Sequence, residues 1–179
     1  RPSDVCGPPG AIISARSSDG AVANVLSVNG GRADSGLAQG DVIAQGVAGQ
    51  GAFRKAGKQS SVRVIADLFA EDVHLIVARQ STIAGVADLK GKRVSLDEPG
   101  SGTLVDARLI FAAYGLTEKD VKAEYLKPQQ AADKLKDGTL DAFFNVSGWP
   151  QGAISDLAAT TGRDSVPSDG PEAEALLQQ

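Results

Sequence analysis

Lys92-Arg93-Val94-Ser95-Leu96-Asp97-Glu98-Pro99-Gly100-Ser101-Gly102-Thr103-Leu104, residues 92–104, is the stretch that decides the fold. Residues 92–96 read as a strand, 97–103 as a glycine-rich turn, and the run from Leu104 to Tyr114 as a helix. A helix that opens from a strand end leaves its first N–H groups without intrahelical partners. The positive end of the helix dipole adds to them, and together they form a ready anion site. Ser101 and Thr103 contribute hydroxyls. Residues 15–24, Ala15-Arg16-Ser17-Ser18-Asp19-Gly20-Ala21-Val22-Ala23-Asn24, repeat the design: a β-rich run, small polar residues, then a helix. Two such helix starts predict a cleft that holds a small anion between them.

Working outward, the same signals alternate along the chain. Strands are expected at residues 11–15, 34–38, 62–69, 73–78, 92–96, 122–126, 140–146 and 164–167. Helices are expected at 20–28, 41–47, 104–114, 128–136, 150–159 and 171–177. The first carries Val22, Val25, Leu26 and Val28 at helical spacing and stops at Gly30-Gly31. Pro128 and Pro150 stand where helices open. Residues 1–10 and 49–60 read as loops, 88–91 as a turn and 117–120 as a capped turn. Strand–helix alternation of this kind implies an α/β fold, a parallel sheet with helices on both faces.

Composition limits the function classes. The chain has 179 residues, enough for one ordinary domain or two small ones. With 42% hydrophobic and 22% charged residues, it is globular rather than disordered. A net charge of −4 gives no reason to expect nucleic acid or an anionic membrane surface as a partner. No apolar run approaches the ~20 residues that span a bilayer. The chain opens on Arg1 without a signal peptide and contains no methionine, the pattern expected of a processed, trimmed or fragmentary chain. Cys6 is the only cysteine: either an inert thiol, or one half of a disulfide whose partner lies in a missing part of the chain.

Several chemistries can be set aside. Gly100-Ser101-Gly102-Thr103-Leu104-Val105 falls short of a dinucleotide fingerprint because Val105 replaces the third glycine. Residues 85–92 have the wrong spacing for a phosphate loop, and Arg93 stands where a magnesium-holding Ser or Thr belongs. A hydrolase elbow at Ser101 fails because Pro99 replaces its first glycine. The only histidine, His74, lies in an apolar β-run rather than beside a nucleophile. One histidine and one cysteine do not make a transition-metal site. No enzyme activity, metal or cofactor is therefore expected. The binding candidates are Ser17, Ser18, Ser101, Gly102 and Thr103 at the two helix starts, with Asn24 and Gln39 beside them. Asn24 falls one turn inside its helix, where asparagine is otherwise unfavourable. Gln39 ends a strand, where ligand-facing residues of α/β sheets lie. Trp149, at another strand end, is placed on the rim.

The order of motifs closely resembles the TAXI family, the extracytoplasmic solute-binding proteins of TRAP transporters. The resemblance is carried by residues 15–25, by Arg32-Ala33-Asp34-Ser35-Gly36-Leu37-Ala38-Gln39-Gly40-Asp41, by Asp88-Leu89-Lys90-Gly91-Lys92-Arg93-Val94, by Pro99-Gly100-Ser101-Gly102-Thr103, by Asp141-Ala142-Phe143-Phe144 and by Gly148-Trp149-Pro150. The sequence departs from the family's usual pattern at Asp19 and Gly40. The resemblance implies a bilobed, periplasmic, non-enzymatic protein that closes on a small organic acid: an amino acid, keto acid or dicarboxylate. It implies delivery of that acid to the membrane permease subunits of a TRAP transporter. Residues 1–77 would be part of lobe one, 78–160 lobe two, and 161–179 the start of a return to lobe one. An interior fragment of this kind would expose apolar faces at residues 11–15 and 62–69 and associate with itself through them. The alternative is the ligand-sensing effector domain of a transcription regulator with the same bilobed fold.

Overall fold

The computed structural model describes residues 12–78 and 80–148 and the backbone strand Arg163–Val166. Cys6, Trp149 and the helices expected at 150–159 and 171–177 lie outside the described residues. The elements are α1 (Ala21–Asn29), α2 (Gly40–Ala48), β1 (Asp72–Ala78), β2 (Arg93–Ser95), α3 (Gly102–Ala113), β3 (Lys122–Glu124), α4 (Pro128–Lys136), β4 (Ala142–Ser147) and β5 (Arg163–Val166), with short 3-10 turns between some of them.

The five strands form one sheet in the order β3-β2-β4-β1-β5. Alternation in β1 and β4 sends side chains to opposite faces. Leu75, Val77 and Phe144 meet Leu104, Ala107, Ile110 and Phe111 of α3 on one face. Phe111 and Phe144 pack edge to face with ring centroids 5.7 Å apart. Ile76 and Phe143 meet Ala131, Ala132 and Leu135 of α4 on the other face. This is the α/β fold expected, with helices on both faces.

The sheet is mixed rather than wholly parallel. β2 runs parallel to β3 and β4, whereas β1 is antiparallel to both β4 and β5. A parallel pair of adjacent strands needs a crossover, usually a helix. Among the described residues only a 3-10 turn, Val86–Leu89, stands between β1 and β2, and in the sheet β4 separates them, parallel to β2 and antiparallel to β1. The sheet is pinned at one end by Arg93 and Asp141. The Arg93 main-chain N–H donates to Asp141 Oδ2 at 2.7 Å, and its guanidinium adds bonds of 3.1 Å to the same oxygen and 2.5 Å to Oδ1.

Three expected strands do not form. Residues 12–15, 34–38 and 62–69 run without a ladder among the described residues. Their β-rich composition signals a fit to a half-buried pleated surface, and here no described strand offers that surface. Ile12, Ile13, Val64, Ile65, Leu68 and Phe69 are all exposed. A third apolar cluster lies on α3: Val22 and Val25 of α1, Val42 of α2 and Phe53 gather on Val105.

Candidate functional site

The strand-turn-helix at residues 92–104 builds as its sequence dictates. After β2 the chain turns at Asp97, the only described non-glycine residue with positive φ (70°), in the left-handed region that Asp tolerates. The Ser101 N–H closes the turn on Glu98 O at 3.0 Å. Ser101 then caps α3, its Oγ accepting from Leu104 N at 3.1 Å. Asp97 is buried behind this cap. Burial pushes its carboxyl above the ordinary range, and hydrogen bonds from the Glu98 N–H and the Thr103 and Ser101 hydroxyls pull it part of the way back. Thr103 Oγ1 also accepts from Val146 N at 3.2 Å, tying the start of α3 to the end of β4.

The two helix starts come together, but not across an empty cleft. The Gly100 carbonyl accepts from Val22 N at 2.9 Å and from Ala23 N at 3.2 Å. Two of the first-turn N–H groups of α1 are thus met by the turn that opens α3, and that carbonyl lies between the two helix starts where an anion was expected. Contact is close enough that a Cβ at Gly20 would lie 2.7 Å from Ser101 Cα. The start of α3 is different. Among the described residues, no acceptor meets the N–H groups of Gly102 and Thr103, although both residues are buried. Helix-start N–H groups without a protein acceptor are met by water or by a ligand.

The sequence-predicted residues divide accordingly. Gln39, Ser101, Gly102 and Thr103 are brought together. Gln39 lays its carboxamide against Gly102, where a Cβ would fall 1.6 Å from its Oε1. Asn24 is turned to a different task, its Nδ2 donating to Leu37 O at 2.8 Å and holding residues 33–39 against α1. Ser17 and Ser18 are exposed on the approach, with Ser18 Oγ accepting from Gly20 N at 3.3 Å.

Beside the turn lies a cavity of about 300 Å³. Val22 and Ala52 form one wall, and Pro99, Gly100, Ser101, Leu104 and Val105 the other. Arg108 and Tyr125 stand in it as well. Sequence reading passed over these two. The signal was present: Ser101, Leu104, Val105 and Arg108 fall at i, i+3, i+4 and i+7, one face of α3. Arg108 Nε bonds Glu118 Oε1, and Tyr125 Oη donates to Glu118 Oε2. On the same helix Asp106 is pushed up to about 7, by burial first and then by Asp41 and Glu71. Among the described residues there is no cluster of metal-ligating side chains, and no helix is long and apolar enough to cross a membrane.

The chain belongs to the NMT1-like family, whose model matches residues 8–179. Similar solved structures include the periplasmic aliphatic sulphonate binding protein SsuA from Escherichia coli. That match has 27% identity over 54% of this chain and 31% of that one, with a TM-score of 0.45. An ancestral arginine-binding protein bound to arginine is 22% identical over 55% of this chain and 41% of that one, with a TM-score of 0.43. The L-cystine solute receptor of Neisseria gonorrhoeae is 19% identical over 57% of this chain and 39% of that one, with a TM-score of 0.40. The chain thus spans 31% of the length of the sulphonate-binding protein it matches.

Proposed function

We propose that this chain is the ligand-holding part of a periplasmic solute-binding protein. It captures a small organic acid and passes it to membrane transporter subunits, and its motif order favours the TAXI branch that serves TRAP transporters. The observation that carries the reading is the start of α3. There the Gln39 carboxamide packs on Gly102, and a cavity of about 300 Å³ opens beside the same turn, lined by Gly100 and Ser101. Backbone N–H groups at a helix start, aided by the dipole, suit a carboxylate, and the apolar walls suit a short carbon chain. Ser101 supports this by fixing the turn and lining the cavity, and Gln39 and Thr103 lie beside it at the start of α3. The chemistry of this cavity, rather than any neighbour's ligand, sets the ligand class. No reaction is assigned to it.

Gly102→Ala tests the reading. The added Cβ displaces the Gln39 carboxamide and covers the first turn, and acid affinity should fall by about tenfold or more, the scale of a lost hydrogen bond to a charged group. Alanine is the better helix former, so the ligand-free melting temperature should hold or rise slightly. Calorimetric titration beside a ligand-free melt reads both. Unchanged affinity for every acid that binds would place the ligand elsewhere.

A further inference from the structure

We infer that a single proton shared between Asp106 of α3 and Asp41 of α2 latches α2 onto the start of α3, and that α2 loosens when the proton leaves. The latch does not depend on the solute-binding reading above. Packing sets the contact. Gly102, Val105 and Asp106 fall at i, i+3 and i+4 and share one face of α3. The start of α2 lies against that face. Gln39, its N-cap, rests its carboxamide on Gly102, and Val42 joins Val105 in one buried cluster. Between those two contacts, in the first turn of α2, stands Asp41, and its carboxyl bonds that of Asp106.

Two carboxyl groups bond each other only when one of them carries a proton. Ionised together, they repel across the helix contact, and no cation is placed to offset them. Among the described residues no ion pair reaches Asp41 or Asp106. Arg108, the one cation on α3, is engaged by Glu118. Glu71, just ahead of β1, adds a third negative charge. The proton sits on Asp106, the less exposed of the pair, which donates it to Asp41. Asp41 is exposed, so the shared proton meets bulk water at this edge. Burial first, then the charge and bond of Asp41 and the charge of Glu71, push the Asp106 carboxyl up to about 7. A raised carboxyl contributes its full stabilisation at low pH and loses it as pH rises through the raised value. The latch is therefore closed in mild acid and weakens above neutrality. Loosening α2 withdraws Gln39 from Gly102 and bares the first turn of α3.

Hydrogen–deuterium exchange at pH 6 and pH 8, corrected for the intrinsic exchange rates, tests this on the unsubstituted protein, Asp41→Asn and Asp106→Asn. The protonated share of a group with its midpoint near 7 falls about tenfold between those two pH values, so protection of the α2 amides should fall by up to about tenfold. The amides of α1, which is tied separately to Gly100 O, should keep their protection. In either variant an amide N–H stands in for the shared proton and bonds the remaining carboxylate at both pH values, so the pH dependence should vanish. Carbon-13 titration of the Asp106 carboxyl gives a second readout. Its midpoint should lie near 7 in the unsubstituted protein and lower by one pH unit or more in Asp41→Asn. Equal α2 protection at pH 6 and pH 8 in the unsubstituted protein overturns the latch. So does a pH dependence that survives in either variant, or an Asp106 midpoint that Asp41→Asn leaves unmoved.

Discussion

Gly20→Ala should lower stability by about 3 kcal/mol, or roughly 6–12 °C in melting temperature for a chain of this size. Two costs add. Gly20 sits at φ 114° and ψ −161°, a region open to glycine and closed to side-chain-bearing residues. Its Cβ would also lie 2.7 Å from Ser101 Cα and 3.4 Å from Gly100 O. Those are backbone atoms of the turn that caps α1 and opens α3, and relief requires one helix start to move from the other. The move breaks the bonds from Val22 and Ala23 to Gly100 O and opens the cavity, so acid binding should fall with stability. Gly57→Ala is the control. Gly57 has φ +77° but nothing within 4 Å of its Cβ, so it carries only the backbone cost of about 1 kcal/mol. Equal losses in the two variants, by thermal melts, would show that the α1–α3 contact is absent.

Asp106→Asn should raise stability at pH 8 by about 1–2 kcal/mol, after allowing for solvent screening of a partly buried group. The Asp106 carboxyl is raised from 3.8 to about 7, by burial first, then by the charge and hydrogen bond of Asp41 and the charge of Glu71. Below about pH 4 it is protonated in both folded and unfolded chains. Between about 4 and 7 the folded chain holds the proton that the unfolded chain has released. Its stabilising contribution is therefore complete at low pH and is lost as pH rises through 7. Asp141, Glu118 and Asp120 are lowered and act in the opposite sense, losing their contribution as pH falls through their folded values. The unsubstituted protein should accordingly melt higher near pH 5 than at pH 8, and Asp106→Asn should flatten that slope. Parallel melting profiles across pH 4–9 would contradict it.

The sheet-forming half was legible because local signals and tertiary packing agree there. β2, α3, α4 and β4 stand where strand composition, the Ser101 cap and Pro128 place them. The direction of β1 was not legible, because alternation along a chain does not specify orientation when no helix intervenes. Residues 62–69 misled for another reason: Val62, Val64 and Ile65 report a preference for a pleated surface, not the presence of a partner strand. At the start of α3, Ser101 and Gly102 stand out through the glycine-rich turn. Gln39 packs on Gly102, a contact made across the fold that no local signal carries. Arg108 is the lone cation on α3, and only its spacing of seven residues from Ser101 puts it on the cavity face. Asn24, unfavourable inside a helix, has its Nδ2 bonded to Leu37 O, a contact with residues far along the chain that the sequence alone does not show.

The central claim, that this chain holds a small organic acid at the start of α3, meets its most direct test in a thermal-shift titration with dicarboxylates, amino acids and keto acids. At a hundred times its dissociation constant, a bound acid should stabilise the protein by about 2.7 kcal/mol, a rise of roughly 5–11 °C. That rise should shrink in Gly102→Ala. No shift with any acid at millimolar concentration would contradict the account.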